Sequence, residues 1–309
     1  MKKKSKKSLS RMPGIIDAHT HAYPPEIFAN PVKWAKARGE HHWAQLVGPR
    51  PDGKKSLQGF ATREQMLRAM DAAGVERCVL LGWYWEKQET CRWHNLEMAK
   101  WLKASPDRFT IFASAQPLAG KVVLDDLKFA RDTGFAGIGE IFPAAQSFAM
   151  DNPIWEKVLA WAAQEKMPVN LHVPEAAGRD YHGFVGAPLR DYQRLARKHP
   201  QTTFIFAHWG GLLPLLALHP AVKKDLQNVY YDTAASPLLY DQRVYRTVVD
   251  AVGAERILFG TDYPLRVFPK EQKEPDFSRP LNEVKKSGLT KKELALVLGG
   301  NARKLLGIK

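Results

Sequence analysis

The chain alternates short apolar runs with longer amphipathic segments, and it does so eight times after residue 13. The apolar runs are rich in Val, Ile and Phe, which is typical of strands buried on both faces of a sheet. Strands that alternate with helices predict a parallel sheet, and eight such units suit a closed (β/α)8 TIM barrel of the α/β class. The eight predicted strands cover residues 14–19, 75–82, 108–113, 135–141, 168–173, 203–208, 229–232 and 256–260.

The amphipathic segments carry the start and stop signals of helices. Thr62-Arg63-Glu64-Gln65 and Thr290-Lys291-Lys292-Glu293 both match a capping box, and Gly74 suits the end of the first of these helices. His94 falls within a predicted helix and is expected at the surface. Helices are predicted from Thr62 to Gly74, over 91–103, 121–132, 153–166, 189–199 and 240–252, and from Thr290 to Leu306.

A long insertion, Ala22 to Ala61, follows the first predicted strand. Loops that follow the carboxyl ends of barrel strands build the active-site face, so this insertion is a candidate lid. We predict a single domain over residues 13–309. Residues 1–12 form a lysine-rich tail with nothing apolar to bury, and they are expected to be disordered.

The formal net charge is +14, and six of the positive charges lie in the N-terminal tail. The other basic residues are scattered over predicted helices without a nucleic-acid-binding motif, which favours a solvated basic surface over a nucleic-acid partner. No apolar run approaches the roughly 20 residues of a membrane-spanning helix. The two cysteines, Cys78 and Cys91, make no disulfide framework, and a cytoplasmic location is the default expectation.

Metal-capable side chains stand where predicted strands end. His19 and His21 are two residues apart on the first strand, so both side chains point to the same face. His172, His208 and Asp262 end three further strands. Burying such groups is costly unless they are paired or bind a metal, so their repeated placement at one rim predicts a metal site.

Five motifs, IIDAHTH, NLHVPE, FAHWGG, LFGTDYP and GGNARKLLGI, occur in this order along the chain. With them the sequence resembles the amidohydrolase superfamily, and specifically amidohydrolase family 2, over residues 13–307. The resemblance implies a divalent metal, Zn²⁺ with Mn²⁺ as the alternative, as one ion or two. It implies metal ligands at His19, His21, His172 and Asp262, joined by Glu140 and His208 if two ions bind.

The resemblance also implies catalytic roles for Asp262, as proton shuttle, and for His208. The first hypothesis is a hydrolase in which metal-activated water attacks an amide, ester or lactone of a small substrate, and Glu140 favours it. The alternative is non-oxidative decarboxylation of an aromatic or unsaturated carboxylic acid. Members of this group are commonly homodimers, so a homodimer is the expected assembly.

Four residues are candidates for substrate binding: Trp83 and Tyr84 after strand two, and Arg179 and His182 after strand five. They are predicted to form an aromatic pocket with a clamp for a carboxylate. The competing interpretation is that these side chains only pack the loops against the barrel.

Overall fold

Eight parallel strands form one sheet in chain order in the computed structural model, which describes residues 14–50, 52–178, 181–266 and 274–308. All eight predicted strands are present, so the prediction of a (β/α)8 TIM barrel is confirmed. The strands are β1 (Ile15–Thr20), β2 (Val75–Leu80), β3 (Phe109–Ala113), β4 (Gly137–Ile141), β5 (Val169–Leu171), β6 (Phe204–Phe206), β7 (Val229–Asp232) and β8 (Ile257–Leu258).

Backbone hydrogen bonds close the barrel between β1 and the segment that follows β8. The amide of Ala18 donates to the Phe259 carbonyl over 2.7 Å, and the amide of Asp262 donates to the His19 carbonyl over 2.9 Å. A parallel bridge between Thr20 and Tyr263 continues this contact. The first and last strands therefore carry their metal-capable residues into direct contact.

Helices cover the outside of the barrel and fill its loops. The helices after Thr62 and Thr290 both begin with the predicted capping boxes, and the first of them ends at Gly74 as predicted. The α-helices are α1 (Pro31–Arg38), α2 (His41–Val47), α3 (Arg63–Ala73), α4 (Gln88–Ala104), α5 (Val122–Asp132), α6 (Pro153–Gln164), α7 (Leu189–Lys198), α8 (Pro220–Asp225), α9 (Ser236–Leu239), α10 (Val244–Val252), α11 (Ser278–Lys285), α12 (Lys291–Ala295) and α13 (Asn301–Leu306). Short 3-10 segments lie at Pro25–Ile27, Pro117–Ala119 and Ala254–Arg256. The segment His208–Leu218 also contains 3-10 turns, but its backbone is left-handed and kinked from Trp209 to Leu212.

The last helix differs from the single helix predicted from Thr290 to Leu306. It is divided into α12, a π-helical turn at Leu296–Gly300, and α13. The cause is a close approach of two backbones: a Cβ atom on Gly299 would lie 2.5 Å from the Gly14 carbonyl oxygen. The interruption lets the end of the chain pack under β1.

Apolar residues fill three layers. One cluster lies inside the barrel and includes Ile16, Val79, Phe112 and Leu258. The largest cluster lies between the strands and the surrounding helices, as the continuous apolar strands require.

Both Cys78 and Cys91 are buried free thiols. Among the helices that the structure describes, none has the length and apolarity to cross a bilayer.

The insertion after β1 has its own aromatic core. It contains α1 and α2, which the sequence pattern did not predict, and it packs through Trp34 and Trp43 against Trp85 in the loop after β2. Aromatic side chains bury a large area each, so this cluster fixes the insertion over the carboxyl ends of the strands. The predicted tail, residues 1–12, lies outside the described residues.

Candidate metal centre

The structure brings all six predicted ligand positions together at one end of the barrel. Each side chain lies at or just beyond the carboxyl end of its strand, the face on which barrel enzymes build their active sites. All except His172 and Asp262 are buried, and these two are only slightly exposed. The six residues are His19 and His21 from β1, Glu140 from β4, His172 after β5, His208 after β6 and Asp262 after β8.

The first group of donor atoms belongs to β1 and β8. His19 Nε2 and His21 Nε2 are 3.2 Å apart. Asp262 Oδ1 lies 3.7 Å from the first of these atoms and 3.4 Å from the second. Glu140 Oε2 faces the same point, at 3.9 Å and 3.5 Å from the two imidazoles. The spacing of His19, His21 and Asp262 is that of ligands that could share one ion.

The second group lies on the other side of the Glu140 carboxylate. Glu140 Oε1 is 2.8 Å from His172 Nδ1 and 3.4 Å from His208 Nε2. The two imidazole atoms are 3.1 Å from each other. The carboxylate of Glu140 therefore has one oxygen in each group, which is the arrangement expected of a ligand that bridges two ions.

Hydrogen bonds fix which imidazole nitrogen faces the centre. His19 Nδ1 is 2.8 Å from Asp232 Oδ2, a carboxylate that can only accept, so this nitrogen carries the hydrogen. His208 Nδ1 likewise donates to the Ala234 carbonyl over 3.2 Å. In the neutral rings the Nε2 lone pairs of both histidines then point into the cluster, as metal ligation requires.

Asp232 is a site residue that the sequence analysis missed. It is fully buried at the end of β7, and besides His19 it accepts hydrogen bonds from Asn170 Nδ2 and from the backbone amides of His208 and Ala234. The sequence does carry a signal for it, because Asp232 ends a predicted strand just as the predicted metal ligands do. Its contacts hold residues from both donor groups.

Asp17 plays a similar part between β1 and β8. Its fully buried carboxylate accepts from the Thr261 hydroxyl over 2.6 Å and from the Thr261 and His19 amides. Burial raises the pKa of Asp17 to about 7, against the lowering effect of the Thr261 hydroxyl. These bonds set the positions of His19 and of Asp262, the residue after Thr261.

The backbone adopts left-handed conformations at two of the donor residues. His208 has φ 56° and Asp262 has φ 65°, a region that residues other than glycine rarely occupy. Such conformations concentrate at functional sites, where the surrounding structure enforces them. Gly139, with φ 120°, precedes Glu140, and a Cβ atom there would lie 2.3 Å from the Asn170 carbonyl oxygen. Only glycine lets β4 approach β5 at this point.

Electrostatics favour positive charge at the centre. Burial lowers the pKa of His19, but attraction to Asp232 and Glu140 outweighs it and raises the pKa to about 10. Burial raises the pKa of Asp262, but the hydrogen bond to His21 and the charge of His19 bring it to about 2. A divalent cation satisfies the same negative potential, so the donor set fits a metal in charge as well as in geometry.

A cavity of about 900 Å³ opens above the donor groups. Trp83 and Tyr84, two of the candidates for substrate binding, line it with ring centroids 4.3 Å apart, and both also pack in the aromatic cluster of the insertion. His182 also lines it, and its Nδ1 donates to the Pro49 carbonyl over 3.2 Å, which ties the loop after β5 to the insertion. The fourth predicted substrate residue, Arg179, lies outside the described residues.

Three solved structures share the fold over nearly their whole length. A 2,6-dihydroxybenzoate decarboxylase from Rhizobium is 19% identical, with a TM-score of 0.67, and the match covers 96% of this chain and 99% of that one. A 5-carboxyvanillate decarboxylase from Sphingomonas paucimobilis is 15% identical, with a TM-score of 0.72 and the same coverage. A dihydroxybenzoic acid decarboxylase from Polaromonas, with bound manganese and the inhibitor 2-nitroresorcinol, is 16% identical, with a TM-score of 0.66, covering 96% and 98%.

At these identities the likeness shows the fold alone. The sequence itself matches the amidohydrolase family model Amidohydro_2 over residues 16–308. That range runs from β1 to the last residue described and contains every member of both donor groups. The resemblance inferred from the five motifs is thereby confirmed, and the chain belongs to the amidohydrolase family.

Proposed function

We propose that this chain is a divalent-metal-dependent decarboxylase of a small aromatic or unsaturated carboxylic acid. The sequence analysis placed hydrolysis first and decarboxylation second. The structure and the comparisons together support the reverse order, because the metal-capable cluster lies beside an aromatic wall and the solved structures named above are decarboxylases of aromatic acids.

The observation that carries the proposal is the contact between this wall and the donor histidines. The Trp83 ring lies 5.0 Å from the His21 ring, and the Tyr84 ring lies 5.4 Å from the His172 ring. Aromatic side chains favour flat, unsaturated ligands by stacking and edge contacts. A planar acid against this wall would bring its carboxylate to the cluster and leave its ring between protein rings.

In this proposal His19, His21 and Asp262 of the first donor group hold the metal. His172, which lies in the second group, is the fourth ligand that the family resemblance implies. Their mixed nitrogen and carboxylate donors accept either Zn²⁺ or Mn²⁺. When bound, the ion supplies a Lewis acid that takes up negative charge from the substrate. Trp83 and Tyr84 orient the ring.

Asp262 is proposed to move the proton. Both Asp262 and Glu140 line the cavity, and the Asp262 side chain is the more open of the two, at 14% exposed against 2%. The lowered pKa of Asp262 leaves it ionised before substrate binds, and we place the proton on the substrate, on a hydroxyl group beside the carboxylate. Asp262 takes this proton and passes it to the ring carbon as the bond to CO2 breaks, and the phenolate oxygen left on the product takes a proton from water.

The test is to load purified protein with Zn²⁺ or Mn²⁺ and offer a panel of hydroxybenzoates and unsaturated acids, measuring CO2 and the decarboxylated product by mass spectrometry. We expect turnover that an Asp262→Asn substitution lowers by about 10² to 10⁴, the usual contribution of a positioned proton-transfer group. Asp225→Asn, which alters a carboxylate on α8 bonded to Gln193, is the control. Absence of CO2 from every acid would refute the proposal.

Hydrolysis is the second candidate, and the position of Glu140 favours it. A carboxylate with one oxygen in each of two donor groups suits a two-metal site, a common device for activating water. In that case Asp262 would accept the proton of the water, and His208 would act from the second group. Two ions per chain, falling to one in Glu140→Gln, together with cleavage of an amide, ester or lactone, would replace decarboxylation by hydrolysis.

A further inference from the structure

The cavity is larger than the proposed reaction needs. Its volume of about 900 Å³ lies near the upper end of the roughly 300 to 1,000 Å³ typical of ligand pockets, which hold molecules of drug size. A single-ring acid that contacts Trp83, Tyr84 and the donor groups would occupy only the floor. The remaining space is bounded by other side chains, whose chemistry indicates what fills it.

Four of the five leucines that line this cavity come from three separate segments of the chain. They are partly exposed, and none of them belongs to the three buried hydrophobic clusters of the described residues. Their apolar surface is therefore turned toward the cavity instead of the protein core. They are Leu57 from the insertion, Leu238 and Leu239 from α9, and Leu265 from the loop after β8.

The polar side chains beside Leu57 are largely occupied by the protein itself. The Ser56 hydroxyl donates to the Leu46 carbonyl over 2.6 Å, and Gln58 Nε2 donates to the Gly59 carbonyl over 2.8 Å. They leave few hydrogen-bonding groups for a ligand on this wall. An apolar group is what the wall binds best, because its burial needs no polar partner.

The wall is also held in place before any ligand binds. The amide of Arg266 donates to the Leu57 carbonyl over 2.9 Å, and its guanidinium Nη2 donates to the Ser56 carbonyl over 2.6 Å. These bonds join the insertion to the loop that carries Leu265. A wall that is already ordered loses little conformational entropy when it binds its ligand.

We infer that the substrate carries an apolar extension, of the size of a second ring or a medium alkyl chain, which binds between these four leucines. The inference rests on the proposed function for the carboxylate end of the molecule. The extension itself follows from the cavity and its leucines. It makes the substrate a substituted aromatic acid and not a simple benzoate.

The experiment measures binding by calorimetry on the metal-loaded protein with two parallel series. One series is 2-hydroxybenzoates with a 4-alkyl chain from methyl to hexyl, and the other is the 3-alkylphenols that they would yield. We expect each added methylene to lower the dissociation constant by up to about fourfold in both series, until the chain fills the cavity. Dissociation constants that do not change with chain length would overturn the inference.

The two series separate this inference from the proposed function. The dependence on chain length tests the leucine wall alone, since acids and phenols share it. The difference in dissociation constant between an acid and its phenol tests the carboxylate site. Acids that bind no better than phenols would refute the proposed function, but they would leave the inference about the leucines standing.

Substitutions locate the effect. Leu57→Ser and Leu238→Ser are expected to reduce the ratio between the methyl and hexyl dissociation constants several-fold. Leu57→Trp, which fills space without adding polarity, should reduce it as well. Leu218→Ser is the matched control, because Leu218 is 77% exposed and does not line the cavity. If the leucine variants keep the full ratio, the extension does not bind there.

Discussion

Asp232 acts on both donor groups at once. Its Oδ2 contacts His19 Nδ1, while its Oδ1 accepts from the backbone amide of His208, so one carboxylate contacts a residue of each donor group. Carboxylates that bind the outer nitrogen of a ligand histidine fix the ring and raise its basicity. The position of Asp232 thereby couples the geometry of β1 to that of the segment after β6.

We predict that Asp232→Asn weakens metal binding by about 10- to 100-fold. The amide keeps the shape of the carboxylate but no longer supplies charge, and an amide nitrogen facing His19 Nδ1 would favour the wrong tautomer. Competition with a chelating dye measures the affinity, and urea denaturation shows whether the fold persists. Unchanged affinity in Asp232→Asn, with Asp225→Asn as the control on a distant carboxylate, would contradict this role.

His94 corrects a sequence-based expectation. It was expected at the surface of its helix, but it is fully buried on α4. Its Nε2 donates to the Ala22 carbonyl over 2.9 Å, and its Nδ1 lies 3.2 Å from the Ser114 hydroxyl. Burial lowers the pKa of His94 to about 4, against a weaker raising effect of the bond to Ala22. The ring is therefore neutral and supports the segment next to His21.

This neutral histidine predicts a loss of stability in acid. Between pH values of about 6.5 and 4 the unfolded chain binds a proton at His94 and the folded chain does not, so the free energy of unfolding falls as the pH falls. The full effect is about 3 kcal/mol. Urea denaturation of the wild type and of His94→Gln across this range measures it. The free energy of unfolding of the wild type should fall toward that of His94→Gln as the pH falls to 4. A difference in the free energy of unfolding between the two proteins that stays constant with pH would contradict the prediction.

Among the elements, the strands were predicted closely and the insertion was not. Continuous apolar runs such as Phe204–Phe206 can only be buried strands or short helix segments, and their length decides between the two. The helices α1 and α2, which begin at Pro31 and His41, lack a strong amphipathic periodicity. Their order comes from tertiary packing of tryptophans, which a local pattern cannot show.

Glu40 makes buried polar contacts that help to fix the insertion to the barrel. It is buried at the start of α2, and its two carboxylate oxygens accept from the amides of Glu86, over 2.6 Å, and Lys87, over 3.1 Å, just before α4. Both amides precede a helix and have no partner within it. One side chain thus connects the insertion to the loop that carries Trp83 and Tyr84.

We predict that Glu40→Gln destabilises the protein by about 1 to 3 kcal/mol, because the amide offers one acceptor where two are needed and turns a donor toward a donor. Urea denaturation measures the total, and limited proteolysis should show faster cleavage within α1 and α2. Glu26→Gln is the control, since Glu26 is 51% exposed and its bonds to Trp34 and Arg38 are at the surface. Equal effects of the two substitutions would show that the hydrogen bonds of Glu40 to the Glu86 and Lys87 amides do not fix the insertion.

The whole molecule places the donor groups by closing the barrel. His19 and Asp262 of the first donor group are far apart in sequence, and backbone bonds between β1 and the segment after β8 bring them together. The motifs predicted which residues meet, because strand ends of one barrel share a face. The family resemblance offered Glu140 as a ligand that joins two ions, with a residue outside the ligand set as the alternative. The choice stayed open because the place of Glu140 depends on side-chain direction and on the close approach of β4 to β5 at Gly139.

Because the proposed ligands come from three separate strands of the closed sheet, β1, β5 and β8, a bound metal should stabilise the entire barrel and not only its rim. An ion that binds the folded chain alone adds about 4 kcal/mol when its free concentration is a thousand times the dissociation constant. We therefore predict that a chelator lowers the free energy of unfolding of the metal-loaded protein by several kcal/mol in one cooperative urea transition. The double variant His19→Ala/His21→Ala should be insensitive to the chelator, whereas Leu218→Ser should respond like the wild type. A chelator that abolished activity while leaving the unfolding transition unchanged would mean that the metal is held by the loops and not by the closed barrel.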